Sequence, residues 1–109
     1  MLLVVAAAGC GGSTVQKEVE AVDSVAAEGA LLASDIARDR TTEPFARVHS
    51  GVLSEQADAA AKSLASRSAP PGAKTRADAV AAALRRLHAH PTERALAARL
   101  ERELEQLAG

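Results

Sequence analysis

One thiol, three imidazoles and a set of hydroxyls and carboxylates are the chemically capable side chains of this 109-residue sequence. The imidazoles are His49, His88 and His90. A helical di-metal centre needs Glu-x-x-His pairs that project inward. The residues three before these histidines are Ala46, Arg85 and Leu87, so that motif is missing from the sequence. His88 and His90 are two apart and on a helix point about 200° from each other. At a helix C-terminus they would instead favour the dipole. His49 lies four after Phe45 and three before Val52, which places it on or beside a packed face. An interfacial histidine fits that position better than a periplasmic metal ligand does.

The hydroxyls offer no nucleophile by pattern. Ser24, Ser34, Ser50, Ser54, Ser63 and Ser66 fall in helical stretches, without a Gly-x-Ser-x-Gly elbow around any of them. Glu101, Glu103 and Glu105 are expected on the solvated outer faces of an amphipathic helix. Gly11-Gly12 lead into no Gly-Lys-Ser/Thr, so a phosphate loop is not indicated. The expectation is a non-enzyme, with no catalytic, cofactor-binding or metal-ligating residues.

The thiol stands apart. Residues Met1 to Ala8 read MLLVVAAA, an uncharged apolar run followed by Gly9, Cys10, Gly11 and Gly12. Such a run falls well short of the roughly 20 residues that span a bilayer. It does match the lower limit of a signal-peptide apolar region ending in small side chains. The segment Ala7-Ala8-Gly9-Cys10 resembles the lipobox of bacterial lipoprotein precursors. That resemblance implies a signal peptide over 1–9, cleavage before Cys10, lipid on the Cys10 thiol, and anchorage on the extracytoplasmic face of the cell membrane. Gly11-Gly12-Ser13 would then complete a flexible tether over 10–13. The sequence departs from the pattern at Ala7, where leucine is usual, and in having no Lys or Arg before Lys17. A start upstream of Met1 would account for the missing charge.

The remaining residues must form the body, and their periodicity is helical. Val15, Val19, Val22, Ala26, Gly29, Ala33 and Ile36 alternate four and three apart, one stripe on one helix face, widened by Val25 and Leu32. A first helix is predicted over about 14–40, with Ser13 or Thr14 as its cap. Thr42 as cap and Pro44 in the first turn open a second helix over about 43–67. Its predicted packed face carries Phe45, Val48, Val52, Ala60 and Leu64, with Leu53 and Ala57 alongside and Phe45 anchoring the turn. Ser68-Ala69-Pro70-Pro71-Gly72-Ala73 stops that helix, giving a linker over 68–74. A third helix is predicted over about 75–89, opened by a capping box of Thr75 and Asp78. After His90-Pro91-Thr92 a fourth runs over about 92–108 on Leu96, Leu100, Leu104 and Leu107, with Arg99 and Glu103 paired across one turn. The fold class expected is all-α: a small Ala-rich antiparallel bundle, one domain over 14–109, a long helical hairpin followed by a shorter one. Three helices with a bent last one is the alternative count.

Composition limits the rest. Alanine supplies 27 residues, Trp and Tyr are absent and Phe45 is the one aromatic, which argues against sandwiches and barrels. A single cysteine excludes an intrachain disulfide. A net charge of −1 gives no bulk attraction to nucleic acid. On the last helix Arg94, Arg99 and Arg102 are offset by Glu93, Glu101, Glu103 and Glu105, unlike a helix that meets phosphate. From Cys10 onward only 19 large apolar side chains are available. So thin a bundle is expected to gain stability as a homo-oligomer, or by docking a helical protein partner along the small-residue seam of Ala26, Gly29 and Ala33. The function expected is a membrane-anchored lipoprotein acting as a non-catalytic interaction or envelope-associated module, with no nucleic acid bound. The alternative is a small cytosolic helical regulator, with nucleic acid as a candidate partner, which requires the resemblance at Cys10 to be fortuitous.

Overall fold

The computed structural model describes the backbone of residues 10–108 and the side chains of residues 15–108. The expected leader over 1–9 and the side chain of Cys10 lie outside that range. Four helices follow one another, α1 (Cys10–Ala37), α2 (Glu43–Ser66), α3 (Pro71–Ala89) and α4 (Arg94–Ala108), and no strand occurs among the described residues. The all-α bundle read from the sequence is the fold, with four helices rather than three among the described residues.

Connections of four or five residues make successive helices antiparallel. Cross-helix contacts fix the order. Arg94 at the start of α4 meets Asp39 just past the end of α1, at 3.2 Å. Arg86 in α3 meets Glu103 in α4 at 3.6 Å. The two hairpins close into a ring, in which α4 packs on α1, and α3 on α2, more extensively than either hairpin packs internally.

The stripe read along α1 faces inward as expected: Val22, Val25, Ala26, Leu32, Ala33 and Ile36 are buried and Val15 and Val19 half-buried. On α3 and α4, Val80, Leu84, Leu87, Leu96, Leu100 and Leu104 are likewise buried. The expected face of α2 is corrected. Its core seam is Ala46, Ser50, Leu53, Ala57, Ala60 and Leu64, at alternating spacings of four and three. Phe45, Val48 and Val52 are turned outward, so Phe45 does not anchor the turn. The small side chains of Ala46 and Ser50 let α2 approach α3 closely, which a seam headed by Phe and two valines would prevent.

Helix ends also differ from the expectations. α1, described from Cys10 onward, takes in Gly11, Gly12 and Ser13, the expected tether. It stops at Ala37 because Asp39 adopts a left-handed φ of 58° and the Arg40 N–H returns to the Asp35 carbonyl at 2.7 Å. The same closure ends α2: Ser68 has φ 57° and the Ala69 N–H reaches the Leu64 carbonyl at 3.2 Å. Thr42 caps α2 as expected, accepting the Phe45 N–H at 3.3 Å. α3 begins at Pro71 rather than Thr75, because proline at the first helical position has its φ preset and lacks only an N–H that would go unbonded. The Thr75–Asp78 capping box is therefore not formed, and Asp78 accepts from Lys74 at 2.9 Å.

Candidate functional site

Helix packing brings together one pair of chemically capable side chains that lie 38 residues apart in sequence. The Ser50 hydroxyl on α2 and Nδ1 of His88 on α3 are 3.1 Å apart. Ser50 is fully buried, and its hydroxyl donates to the Arg47 carbonyl at 3.2 Å. The Ser50 hydroxyl is thus shared between a carbonyl of its own helix and the imidazole of α3. The contact fastens α2 to α3 beside the exposed ring of His88. Gly51 makes room for that ring: a Cβ there would come within 3.1 Å of Cε1 of His88.

The other expected candidates are dispersed. His49, half-buried, stacks on Phe45 with ring centroids 5.2 Å apart. His90 places Nδ1 3.0 Å from Glu93 in the turn before α4. Cys10 begins α1, at the end of the bundle away from the α1–α2 turn. Among the described residues no three His, Cys, Asp or Glu side chains converge on a point that could hold a metal ion. Of the glutamates of α4, Glu105 is exposed as expected, whereas Glu101 and Glu103 are drawn into ion pairs. Glu101 is only 17% exposed and pairs with Arg38 at 3.3 Å, and Glu103 pairs with Arg86 on α3 instead of with Arg99.

The bases of α3 are engaged within the fold. Arg85 donates to Asp58 at 2.6 Å, Arg86 pairs with Glu103 and Lys74 with Asp78. Arg76, which the sequence did not single out, bonds Asp23 on α1 and the Leu107 carbonyl on α4, the latter at 2.7 Å. It ties three helices together at one end of the bundle.

The small-residue seam of α1 is already occupied. A Cβ on Gly29 would lie 2.7 Å from Leu84 and 3.2 Å from Leu104, so α3 and α4 fill the place where a partner helix was expected. What remains open lies on the other side of α1. Leu31, Phe45, Val48 and Val52 are 68%, 55%, 68% and 44% exposed and are the exposed large apolar residues among those described. Between α1 and α2 a groove of about 230 Å³ joins Leu31 and Leu32 to Phe45 and His49, with Glu28 and Asp35 at its edge. Between α1 and α4 a second groove, about 460 Å³, runs over Ala27, Ala30 and Leu31 to Glu101 and Glu105.

No family model, curated protein or solved structure gives a significant match to the chain. Of the features above, the exposed apolar face stands out, because Leu31, Val48 and Val52 lie outside the core and Phe45 meets only the His49 ring beside it. Pattern reasoning missed it because Phe45, Val48 and Val52 have the spacing of a core seam; the signal that could have exposed them is the competing seam one residue on, from Ala46 through Leu64.

Proposed function

We propose that this protein is a non-catalytic helical interaction module, held at the extracytoplasmic face of a bacterial membrane by lipid on Cys10, whose working surface is the outward face of α1 and α2. The observation that carries the module reading is the placement of Leu31, Phe45, Val48 and Val52 outside a core that closes without them. A chain with so few large apolar side chains leaves four in water at a cost that a bound partner would recover.

The anchor rests on the lipobox-like Ala7-Ala8-Gly9-Cys10 after an apolar run. No helix among the described residues is long and apolar enough to cross a membrane. Metabolic labelling with a palmitate analogue tests the anchor. The wild type should take up label and sediment with membranes, and Cys10→Ala should do neither. A wild type that takes up no lipid and stays in the cytosol would remove the anchor and leave the module reading to stand on its surface alone.

A further inference from the structure

We infer that the α1–α2 face docks an amphipathic helix with basic flanks, supplied by another protein. This deepens the interaction-module reading and is independent of the lipid anchor. Phe45, Val48 and Val52 follow one another at i, i+3 and i+7 and form a ridge about 10 Å long on α2. Leu31 stands across the α1–α2 groove from Phe45, and the α1–α4 groove opens on its other side. Together the four side chains leave on the order of 400 Å² of apolar surface, the size of patch that on a monomer commonly marks a binding site. A ridge flanked by grooves is the shape that the apolar stripe of a helix fills, with anchors one turn apart.

Charge selects the partner. Between Cys10 and Ala37, Lys17 opposes Glu18, Glu20, Asp23, Glu28 and Asp35, a balance of −4 on α1. On α2, Arg47 and Lys62 against Glu43, Glu55 and Asp58 give −1, whereas on α3 Lys74, Arg76, Arg85 and Arg86 against Asp78 give +3. The asymmetry is sharpest at the grooves, where the charged lining residues are Glu28, Asp35, Glu101 and Glu105, all acidic. Asp35 and Glu101 meet Arg40 and Arg38, and Glu43 meets Arg47. Glu28, Glu55 and Glu105 have no ion-pair partner among the described residues. Lys or Arg beside the apolar stripe of an incoming helix would pair with them.

The same charges disfavour the other occupants. Two copies docked through this face would oppose acid to acid. A copy docked through its α3–α4 side would present no large exposed apolar residue to fill the ridge. The patch is also about half of the 800 Å² per partner usual for a stable dimer. An anionic bilayer would be repelled.

The test uses the full chain and three synthetic peptides of about 18 residues, five helical turns. One carries Leu at i, i+3, i+4 and i+7 repeats flanked by Lys. The second has Glu in place of Lys, and the third is a scramble of the first. Binding is read by fluorescence anisotropy and by amide shifts of the labelled protein. The Lys-flanked helix should bind at about micromolar Kd, shift residues 28–35 and 45–52, and weaken as salt rises. The Glu-flanked and scrambled peptides should bind at least about tenfold more weakly. The double variants Phe45→Gln/Val48→Gln and Glu28→Gln/Glu105→Gln should each reduce binding by about tenfold or more with an unchanged circular dichroism spectrum. Equal binding of the Lys and Glu peptides, or shifts confined to α3 and α4, would overturn the inference. Self-association lost in Phe45→Gln/Val48→Gln, or vesicle binding lost in it, would also overturn the basic helix while keeping the face as an interaction surface. Absence of peptide binding, self-association and vesicle binding would remove both the inference and the module reading.

Discussion

Ser68 closes α2 in a left-handed conformation that a side chain disfavours by about 1–2 kcal/mol, at a position where helices commonly use glycine. It is exposed, and the bonds that define the turn come from its neighbours' backbone, the Ala69 N–H to the Leu64 carbonyl. Ser68→Gly should therefore stabilise the protein by roughly 0.5–1 kcal/mol after allowing for the greater freedom of glycine in the unfolded chain. For a domain of this size that corresponds to a rise in Tm of about 2–8 °C, measurable by calorimetry. A fall in Tm would mean that the Ser68 side chain contributes more than its strain costs. Asp39 has the same conformation at the end of α1 but also meets Arg94 at 3.2 Å, so glycine there would lose a contact as it relieved strain. The stop of α2 at Ser68 was legible from the prolines and glycine that follow it, but the left-handed conformations of Asp39 and Ser68 were not, because Asp and Ser there carry no mark that glycine would have given. Single-residue contacts between distant positions were equally hidden. Nothing in local spacing foretells that His88 meets Ser50 or that Arg76 reaches both Asp23 and Leu107.

At the scale of the helix, legibility depended on how many faces the residues permitted. On α1 the large apolar side chains and the alanines agree on one stripe, and periodicity identified the core face from Val15 to Ile36. On α2 two stripes compete. Bulk favours Phe45, Val48 and Val52, whereas the seam actually buried starts with Ala46 and Ser50 and finds its bulk only at Leu53 and Leu64. The choice belongs to the neighbouring helices, whose close approach admits alanine and serine and excludes phenylalanine. Glycines test this reading of close packing. Gly29→Ala would gain about 1 kcal/mol of helix propensity, but its methyl would fall 2.7 Å from Cδ2 of Leu84, itself fully buried beside Leu104. Overpacking of that kind costs about 1–3 kcal/mol, so the net change should be a loss of up to about 2 kcal/mol. Gly72→Ala in the first turn of α3 meets nothing within 4 Å and should gain up to about 1 kcal/mol. Urea titration of both variants supplies the comparison, and a more stable Gly29→Ala would show that α3 and α4 yield to α1 easily.

For the whole molecule the decisive quantity is how its apolar stock is divided. Among the described residues, eleven of the twenty-three buried apolar positions are alanine. Alanine allows helices to approach but contributes little burial of its own, so cohesion falls on a few leucines, Leu53 among them at 1% exposure. Leu31, Phe45, Val48 and Val52 lie outside that core, so the stability of the fold should not depend on them. Leu53→Ala should cost about 2–5 kcal/mol, a large part of the stability of a small domain. Val48→Gln, only five residues away but 68% exposed, should change stability by no more than about 0.5 kcal/mol. Denaturant unfolding of the two variants, at several protein concentrations, distinguishes the possibilities. A large loss in Val48→Gln that appears only at high concentration would mean that the outer stripe is buried between copies of the chain. A large loss at every concentration would place Val48 in the working core of the monomer, against its exposure. No loss at any concentration, alongside a marked loss in Leu53→Ala, is the result that a core closed without the stripe requires.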